Sequence, residues 1–379
     1  MVKIGYVSPV DPGIDRMAWS GTFYNTFHAI ENAGFEIKWI PCAKPLFIYK
    51  LMTKATSKIY KIIYKQGSPS HSRLMAVVHG FFVNKKLIKD CDILFIPGQA
   101  EVVAGLNCNI PIIYYSDATF KKMINYYWFN FSSRAINEGN KTEKIAIRKA
   151  TYNFRSSHWA AQSTINDYDA NKDTTFVFPF GADVPIKRKM ASAPDYENNK
   201  LKLLFSGKDW ERKGGTIAVD AVEYLNKVGI KSELYIVGIN KLPKEIEQKD
   251  FLKLIGYIDK NNLEDYKKYL KLYHECNAFI LPTRAECSAL VFSEANAFNM
   301  PIFSTDTGGV SDYVVNGENG YRLPLSATGV DFGKCIEKNY RKKQFEKLSE
   351  GSQEIYNGST SWQAWSAHFK AFMEENYID

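Results

Sequence analysis

Long apolar runs are missing from this sequence. None reaches the roughly 18 residues that a membrane-spanning helix needs. The first residues, MVKIGYVSPVDPG, have the pattern of a strand followed by a loop, whereas a secretion signal has a charged start and an apolar stretch. We therefore expect a cytoplasmic protein.

Paired cysteines and grouped histidines are missing as well. The six cysteines are scattered without a CxxC pair, which argues against a disulfide framework and a zinc site. The six histidines do not occur at the spacings of metal ligands. Neither a P-loop nor a GxGxxG pattern occurs, which disfavours ATPases and ordinary NAD-dependent enzymes. We expect neither a metal nor a cofactor.

Acidic residues are absent from one long stretch. Residues 37–89 contain ten lysines and one arginine but no Asp or Glu, which leaves 38 of the 49 basic residues against 41 acidic ones elsewhere. The formal net charge of +8 is therefore local. It predicts a positively charged patch and argues against general nucleic-acid binding.

The order of apolar runs predicts two α/β domains. A chain of 379 residues exceeds the roughly 250 to 300 residues at which a single core stops growing. Short apolar runs alternate with helical patterns, which is typical of parallel sheets covered on both faces. The predicted strands are residues 3–8, 35–40, 91–97, 110–117, 157–163 and 175–181, then 201–207, 232–238, 251–258, 277–282, 301–306 and 320–324. The polar stretch 184–200 is the predicted linker.

Two carboxylates stand eight positions apart in RAECSALVFSEANAF. Glu286 follows a predicted strand, and Glu294 lies one to two turns into a helix that begins near Ser288. The backbone amides of Ser288, Ala289 and Leu290 would form a helix N-terminus, which suits an anionic group such as a phosphate. Alternatively, Glu294 is solvated on a helix edge and Glu286 is a first-turn residue favoured by the helix dipole.

The segment SGKDWERKGG, residues 206–215, leaves the first predicted strand of the second half. Glycine lets the backbone approach a ligand closely, and Lys208, Arg212 and Lys213 bring positive charge to the carboxyl end of that strand. Such a loop can hold a diphosphate without a metal. The alternative is an ordinary connection between a strand and a helix.

Together the two segments resemble a known family. SGKDWERKGG, followed by LPTRAECSALVFSEANAFNMPIFSTDTGGVSDYVVNGENGYRLP, is similar to the signature of the family 4 retaining glycosyltransferases, which have the GT-B fold. VFPFGAD, residues 177–183, resembles the V-x-P-N-G-x-D that closes the first domain of the family. The resemblance is strong over about residues 175–325 and weaker over the N-terminal half.

The resemblance implies a fold with two Rossmann-like domains that face each other across a deep cleft. Residues 1–183 would form the acceptor-binding domain and residues 184–359 the donor-binding domain. The last residues, 360–379, carry Trp362, Trp365, Phe369 and Phe372 at helical spacing. This helix is expected to cross back to the N-terminal domain.

The resemblance also implies roles in donor binding. Gly207, Lys208, Lys213 and Gly214 match a G-R-x4-K-G loop whose Arg and Lys hold the diphosphate, and Lys208 keeps the charge of that Arg without its bidentate fork. Glu286 would contact the transferred sugar and Glu294 the ribose, as the family's E-x7-E does. The Phe-Gly that follows the first Glu in the family is Ser288-Ala289 here. Gly256 joins the predicted donor-binding residues.

On the N-terminal side, Gly21 stands where the family has a glycine near the donor phosphates. Asp15, Arg16 and Trp19 are candidates for the acceptor pocket. Asp117 stands where many family members place a histidine against the sugar. It would take over that polar contact, or else it caps a helix that starts at Thr119.

The segment YKLMTKATSKIYKIIYKQ predicts a basic amphipathic helix. At 100° per residue five lysines fall within about 80° of arc, with apolar residues opposite and three tyrosines on the flank. The lysines are Lys50, Lys54, Lys58, Lys61 and Lys65, the apolar residues Leu51, Met52, Ile59, Ile62 and Ile63, and the tyrosines Tyr49, Tyr60 and Tyr64. Such a helix binds an anionic membrane surface or an acceptor. Alternatively, its isoleucines pack on the first domain and its lysines are merely solvated.

The predicted function is transfer of a sugar, with retention and without a metal, from a nucleoside diphosphate sugar to a carbohydrate or lipid-linked acceptor. A UDP-sugar is favoured and GDP-mannose is the other option. Synthesis of cell-surface polysaccharide or glycolipid, peripheral to the inner face of a membrane, fits this reaction. A nucleotide-sugar epimerase or phosphorylase of the same fold, and a non-catalytic sugar-nucleotide binder, remain open.

Overall fold

The computed structural model describes residues 2–42, 47–185 and 188–377. The chain divides into unit 1, Met1–Phe180 with Trp362–Asp379, and unit 2, Gly181–Ser361. The predicted linker 184–200, the basic stretch 37–89 and the C-terminal segment 360–379 each include a few residues outside the described ranges.

Unit 1 contains a six-stranded sheet. Its strands are β1 (Lys3–Ser8), β2 (Glu36–Pro41), β3 (Ile93–Pro97), β4 (Ile112–Ser116), β5 (Tyr152–Arg155) and β6 (Thr175–Val177). They are parallel throughout and lie in the order β2-β1-β3-β4-β5-β6. Every residue of β3 and β4 is buried, because helices cover both faces of the sheet.

One to three α-helices lie between consecutive strands of this sheet up to β6, apart from 3-10 turns. They are α1 (Thr22–Asn32), α2 (Phe47–Tyr64), α3 (Arg73–Phe82), α4 (Lys85–Lys89), α5 (Ala100–Gly105), α6 (Phe120–Met123), α7 (Ser133–Lys149) and α8 (His158–Tyr168). The prediction of a strand at residues 157–163 is wrong, because this segment begins α8. The Ser157 hydroxyl accepts a hydrogen bond from the Ala160 amide (3.3 Å) and so starts a helix instead.

Unit 2 repeats the architecture. Its strands are β7 (Lys200–Ser206), β8 (Lys231–Val237), β9 (Leu252–Gly256), β10 (Ala278–Leu281), β11 (Ile302–Thr305) and β12 (Gly320–Leu323). They form a second parallel sheet in the order β12-β11-β10-β7-β8-β9. Its helices are α9 (Gly215–Lys227), α10 (Leu263–Glu275), α11 (Leu290–Ala297), α12 (Gly329–Arg341) and α13 (Phe345–Ile355).

The final helix, α14 (Trp362–Asn376), belongs to unit 1. The buried Trp365 donates its indole N–H to the Tyr115 hydroxyl (3.3 Å). Phe372 packs edge-on against Phe154, with 4.8 Å between the ring centroids. The predicted return of the C-terminal helix to the N-terminal domain is therefore confirmed.

The strand orders identify a switch point in each sheet. In unit 2, β7 lies between β8 and β10. The chain passes from β7 to β8 on one side and reaches β10 on the other side only later, so the loops that follow the neighbouring strands β7 and β10 diverge. In parallel α/β sheets ligands bind at such points, at the carboxyl ends of the strands. Both predicted donor-binding segments leave their strands at this place. Across the described ranges, no helix has both the length and the apolar character that crossing a membrane requires.

The core of unit 1 encloses two glutamates, Glu101 on α5 and Glu143 on α7. Burial raises the pKa of each carboxyl group from 4.5 to about 7. Two neighbours favour the charged form of Glu143: Arg155 and the Tyr114 hydroxyl, which donates a hydrogen bond to Oε1 (3.2 Å). Burial has the larger effect, so the pKa of Glu143 is still raised. Both groups therefore gain a proton more readily in the folded chain than in the unfolded one.

We expect Glu101→Gln to stabilise unit 1 more at pH 8 than at pH 5. Below pH 4.5 the carboxyl group is neutral in both states and has no effect on unfolding. As the pH rises from 4.5 to about 7, the carboxyl group ionises only in the unfolded state. The free energy of unfolding of the wild type therefore falls by up to about 3 kcal/mol, whereas that of the Glu101→Gln variant does not. Urea unfolding followed by circular dichroism measures this. The exposed Glu350→Gln is the control, and an equal gain at both pH values would contradict the prediction.

Candidate functional site

The loop after β7 is shaped by two glycines. A Cβ on Gly207 would lie 2.8 Å from the Lys213 side chain, and the Gly207 amide donates to the Val237 carbonyl (3.0 Å). Gly214 has φ +70°, and a Cβ there would lie 2.1 Å from the Pro282 carbonyl oxygen. Glycine is required for this approach. The loop after β7 is thereby packed directly against the loop after β10.

That contact brings Lys213 to Glu286. Glu286 is buried, at 6% exposed, and its Oε2 forms an ion pair with the Lys213 ammonium. Arg212 approaches the same oxygen to 3.9 Å and donates to the Ala285 carbonyl (3.1 Å). A buried carboxylate needs such partners because desolvation penalises its charge. The two segments singled out in the sequence therefore form one charged cluster. Residues 206–215 also connect β7 to α9, and their part in holding a diphosphate stays a prediction.

The N-terminus of α11 lies next to this cluster in the chain. The helix begins at Leu290, two residues after the predicted start, and its N-cap is Ala289. An alanine side chain offers no acceptor for the first amides of the helix. Ser288 and Leu290 are half-buried, so the predicted amides do lie at a helix N-terminus with its partial positive charge.

Glu294 is more deeply buried than Glu286, at 2% exposed. Its Oε1 pairs with the Lys260 ammonium, and its Oε2 accepts hydrogen bonds from the hydroxyls of Tyr269 (2.6 Å) and Tyr273 (3.2 Å). The alternative of a solvated glutamate on a helix edge is therefore wrong. Burial is the largest single influence on the pKa of Lys260 and would lower it. The charge of Glu294, the neighbouring Tyr269 and the hydrogen bond to Glu294 together outweigh burial, so the pKa is raised.

Sequence reasoning missed Lys260, Tyr269 and Tyr273. The two tyrosines stand four residues apart on α10, which is a pattern of one helix face, but nothing in the sequence links that face to Glu294. Lys260 lies in the loop after β9. The ammonium of Lys260 also stands over the Tyr269 ring, 4.4 Å from its centroid. The surroundings of Glu294 are thus fixed on three sides.

Lys208 and Gly256 lie on the β9 side of the loop region. The Lys208 ammonium is 5.3 Å from the centroid of the Tyr257 ring. Gly256 ends β9 with φ +82°, and its carbonyl accepts from the Gly238 amide (2.9 Å). Lys208 is thus placed toward the loop that also carries Lys260.

The predicted residues of unit 1 cluster after β1. Gly21 is buried with φ +81° and precedes α1 as its N-cap. The Asp15 carboxylate accepts from the amides of Met17 and Ala18 (both 2.8 Å). Arg16 donates to the Tyr24 hydroxyl (2.9 Å), and Trp19 packs on Phe180 with 5.4 Å between the ring centroids. Their predicted part in acceptor binding stays a prediction.

Asp117 directly follows β4 and is half-buried. The alternative that it caps the next helix is wrong. That helix is α6, which begins at Phe120, and the Thr119 hydroxyl accepts the hydrogen bond from the Lys122 amide (3.4 Å). A sugar contact by Asp117 stays a prediction.

The basic helix corresponds to α2, and Lys65 follows its last residue with φ +60°. The alternative that its isoleucines pack on the domain is wrong, because Ile59, Ile62 and Ile63 are exposed. The predicted position of the tyrosines on the flank also needs correction. Tyr60 is buried, and Tyr49 and Tyr64 are half-buried. The side of α2 that faces unit 1 is therefore the tyrosine side.

Most of unit 2 is similar to a known protein family. The model of the family described as glycosyl transferases group 1 matches residues 187–327. This part of the chain is similar to the glycosyl transferases of group 1, and we call residues 187–327 the group 1 domain. The group 1 domain contains the Lys213 and Glu286 pair and the Lys260 and Glu294 pair.

Relatives extend the similarity beyond the group 1 domain. The capsular polysaccharide biosynthesis glycosyltransferase CapM from Staphylococcus aureus is 25% identical over 254 residues, which cover 62% of this chain and 65% of CapM. The chain thus matches less than two thirds of the length of this relative.

Solved structures confirm the fold predicted around the group 1 domain. The sucrose-phosphate synthase from Thermosynechococcus elongatus superimposes with a TM-score of 0.66 at 15% identity, over 99% of both chains. HepE from Anabaena, solved in complex with UDP and glucose, gives 0.60 at 14% identity, over 99% of this chain and 100% of that one. The chain has the GT-B fold, with two parallel six-stranded sheets.

Proposed function

We propose that this protein is a glycosyltransferase that moves a sugar from a nucleoside diphosphate sugar to a carbohydrate or lipid-linked acceptor. The observation that carries the proposal is the buried contact between Lys213 and Glu286 at the switch point of unit 2. A cation for a departing diphosphate and a carboxylate for sugar hydroxyls stand side by side there. The reaction needs both groups at the bond between sugar and phosphate.

The leaving diphosphate would be stabilised by the cations of the loop after β7. Lys213 and Arg212 lie within reach of Glu286, and the N-terminus of α11 follows Glu286 in the chain. Positive groups that are already in place stabilise the charge that develops on a leaving group without reorganising. Lys208 would serve the phosphate farther from the sugar, since it lies toward the β9 loop.

Glu286 would orient the sugar. An ionised carboxylate only accepts hydrogen bonds, so it holds hydroxyl groups in a defined direction. A bound diphosphate would draw Lys213 away from Glu286 and leave that carboxylate available to the sugar. Orientation of the donor sugar is a large part of what an enzyme contributes to transfer.

Glu294 would hold the ribose. Its carboxylate is fixed by Tyr269, Tyr273 and Lys260, so it would not need to reorient when ribose hydroxyls bind. A UDP-sugar is the preferred donor, which is supported by the UDP and glucose bound in the HepE structure. The printed name of CapM supports polysaccharide synthesis as the setting.

Four further parts belong to the proposal. Retention at the anomeric carbon rests on the resemblance to the family 4 enzymes, and independence of metal ions rests also on the histidines, which do not occur at the spacings of metal ligands. A cytoplasmic location rests on the apolar runs, which are too short to span a membrane, and peripheral attachment to a membrane rests on the basic amphipathic pattern of residues 49–66. Retention can be read from the anomeric proton of the product by NMR, and metal independence from activity in the presence of a chelator.

The proposal is tested with the wild-type protein and a series of UDP-, GDP- and ADP-sugars. We expect the melting temperature to rise with at least one nucleoside diphosphate, because a ligand that binds only the folded state stabilises it. With that donor and a panel of sugar and lipid-linked acceptors, we expect both nucleoside diphosphate and a glycosylated product. Nucleotide binding without diphosphate release under any acceptor would show a non-catalytic binder, and an altered sugar still on the nucleotide would show an epimerase.

A further inference from the structure

Helix α2 has its apolar side turned away from the protein. A surface helix normally buries its apolar stripe against the core. Here the residues turned toward unit 1 are hydroxylated or aromatic, whereas the large aliphatic side chains point outward. The half-buried or buried positions are Tyr49, Thr53, Thr56, Ser57, Tyr60 and Tyr64. The exposed apolar residues are Phe47, Ile48, Leu51, Met52, Ile59, Ile62 and Ile63.

Helix α3 has a second outward apolar stripe. Leu74, Val77 and Phe81 recur at helical spacing, and Val77 and Phe81 are 68% and 72% exposed. Their separation of three and four residues places them on one side of the helix. Helices α2 and α3 are neighbours, and exposed apolar residues that recur along two adjacent helices mark an interaction surface, unlike single scattered ones. We call these ten side chains, seven on α2 and three on α3, the α2/α3 apolar face.

The two helices are held firmly in unit 1. Tyr49 packs edge-on against Phe82, with 5.2 Å between the ring centroids, and so joins the start of α2 to the end of α3. Gly80 lies so close to α5 that a Cβ would be 2.0 Å from the Gly105 carbonyl oxygen. At the other end of α2 the Ser132 hydroxyl donates to the Tyr64 carbonyl (2.7 Å). The apolar side chains are therefore presented by a fixed scaffold.

One border of this face is strongly basic. Lys50, Lys54, Lys58 and Lys61 are exposed along one side of α2, and the described residues provide no ion pair for any of them. Thr53, Lys54, Ser57, Lys58, Lys61 and Ile62 line an open depression of about 500 Å³. Residues 37–89 contain no acidic side chain, so the ion pairs of Lys38 and Arg73 are made with Asp90 and Glu138 from outside the segment.

We propose that the α2/α3 apolar face docks onto an anionic lipid bilayer. The apolar side chains would enter the boundary between headgroups and acyl chains, and the lysines would reach lipid phosphates beside them. A second copy of the chain fits poorly, since a two-fold interface sets the same basic border against itself. An acidic partner protein would satisfy the charge, but the bilayer satisfies the charge and the long apolar stripe together.

The docking proposal does not rest on the transfer reaction, and its test needs neither donor nor acceptor. Full-length protein is sedimented with vesicles of 70% phosphatidylcholine and 30% phosphatidylglycerol, and with vesicles of phosphatidylcholine alone. We expect binding to the anionic vesicles that falls as salt is raised and is at least about tenfold weaker on the neutral ones, since each lysine adds to the attraction.

Two variants separate the apolar and the charged contributions. We expect Leu51→Gln/Ile59→Gln/Ile62→Gln, and separately Lys50→Gln/Lys54→Gln/Lys58→Gln/Lys61→Gln, each to weaken binding to anionic vesicles by about tenfold or more. The matched control, Leu263→Gln/Leu325→Gln/Val330→Gln, removes exposed apolar residues from unit 2 and should bind as the wild type does. All changed side chains are exposed, so an unchanged melting temperature verifies folding.

Three outcomes would overturn the proposal. The first is wild-type protein that stays in the supernatant with anionic vesicles at low salt. The second is an apolar triple variant that binds as tightly as the wild type, which would leave only a diffuse electrostatic attraction. The third is a dimer, seen by light scattering, that the same triple variant dissociates, because the face would then be an interface between two copies.

Discussion

Lys213→Met is expected to lower the free energy of unfolding of unit 2 by about 3 kcal/mol, because it leaves the buried Glu286 carboxylate without its closest cation. Sugar transfer should fall by about a hundredfold to a thousandfold, as it does when one stabilising donor of a leaving charge is removed. The double variant Lys213→Met/Glu286→Leu should recover most of the stability, since an apolar pair of similar volume avoids the desolvation of two charges. It should recover none of the activity.

Urea unfolding and initial rates of donor turnover provide the two readouts. The control is Lys227→Met, which breaks an exposed pair with Glu223 on α9 and should change stability by less than about 0.5 kcal/mol. If the double variant transfers sugar at the wild-type rate, the pair of Lys213 and Glu286 is not needed for transfer. A Lys213→Met variant as stable as the wild type would show that Glu286 finds another partner.

Gly214→Ala is expected to destabilise unit 2 by about 3 kcal/mol. A non-glycine residue at φ +70° costs about 1 to 2 kcal/mol, and forcing an atom into a packed site costs about 1 to 3 kcal/mol more. The new methyl group would meet a carbonyl oxygen of the main chain, which cannot rotate away as a side chain would. Because this contact joins the loops of Lys213 and Glu286, turnover should also fall, by about a hundredfold.

Gly229→Ala separates the two causes. Gly229 has φ +87°, but a Cβ there would have no neighbour within 4 Å. It should therefore cost only the backbone strain, about 1 to 2 kcal/mol, and leave turnover unchanged. Equal losses of stability in the two variants would mean that the loop after β7 relaxes away from Pro282 and that the close approach is not essential.

Much of the sheet architecture could be predicted from the sequence. A parallel strand buried on both faces reads as a continuous apolar run, which is why β3 and β4 were identifiable. Strand β5 has the sequence YNFR, whose polar residues interrupt such a run. The strand was therefore predicted in the following segment, residues 157–163. There the Ser157 cap and two alanines favour a helix, so local capping outweighed the apolar pattern.

The surroundings of the two glutamates were only partly predictable. The motif spacing placed Glu286 after a strand and Glu294 on a helix, and both are there. Lys260 and Tyr269 reach Glu294 from a separate loop and helix, a contact that no local pattern encodes. For α2 the periodicity revealed two unlike sides, but not which one faces the protein. The buried Tyr60 shows that the tyrosine side of α2 faces the protein and packs where aliphatic residues were expected.

The return of α14 to unit 1 affects the order in which the chain can fold. Trp365, Phe369 and Phe372 complete the aromatic core around Phe95 and Phe154, yet they are synthesised after the whole of unit 2. Domains generally fold as units while the chain emerges from the ribosome. Unit 2, which is continuous in the chain, can thus close its core first. Synthesis of unit 1 begins earlier, but its core is complete only after α14 has been synthesised. Until then the aromatic side chains of this core stay uncovered.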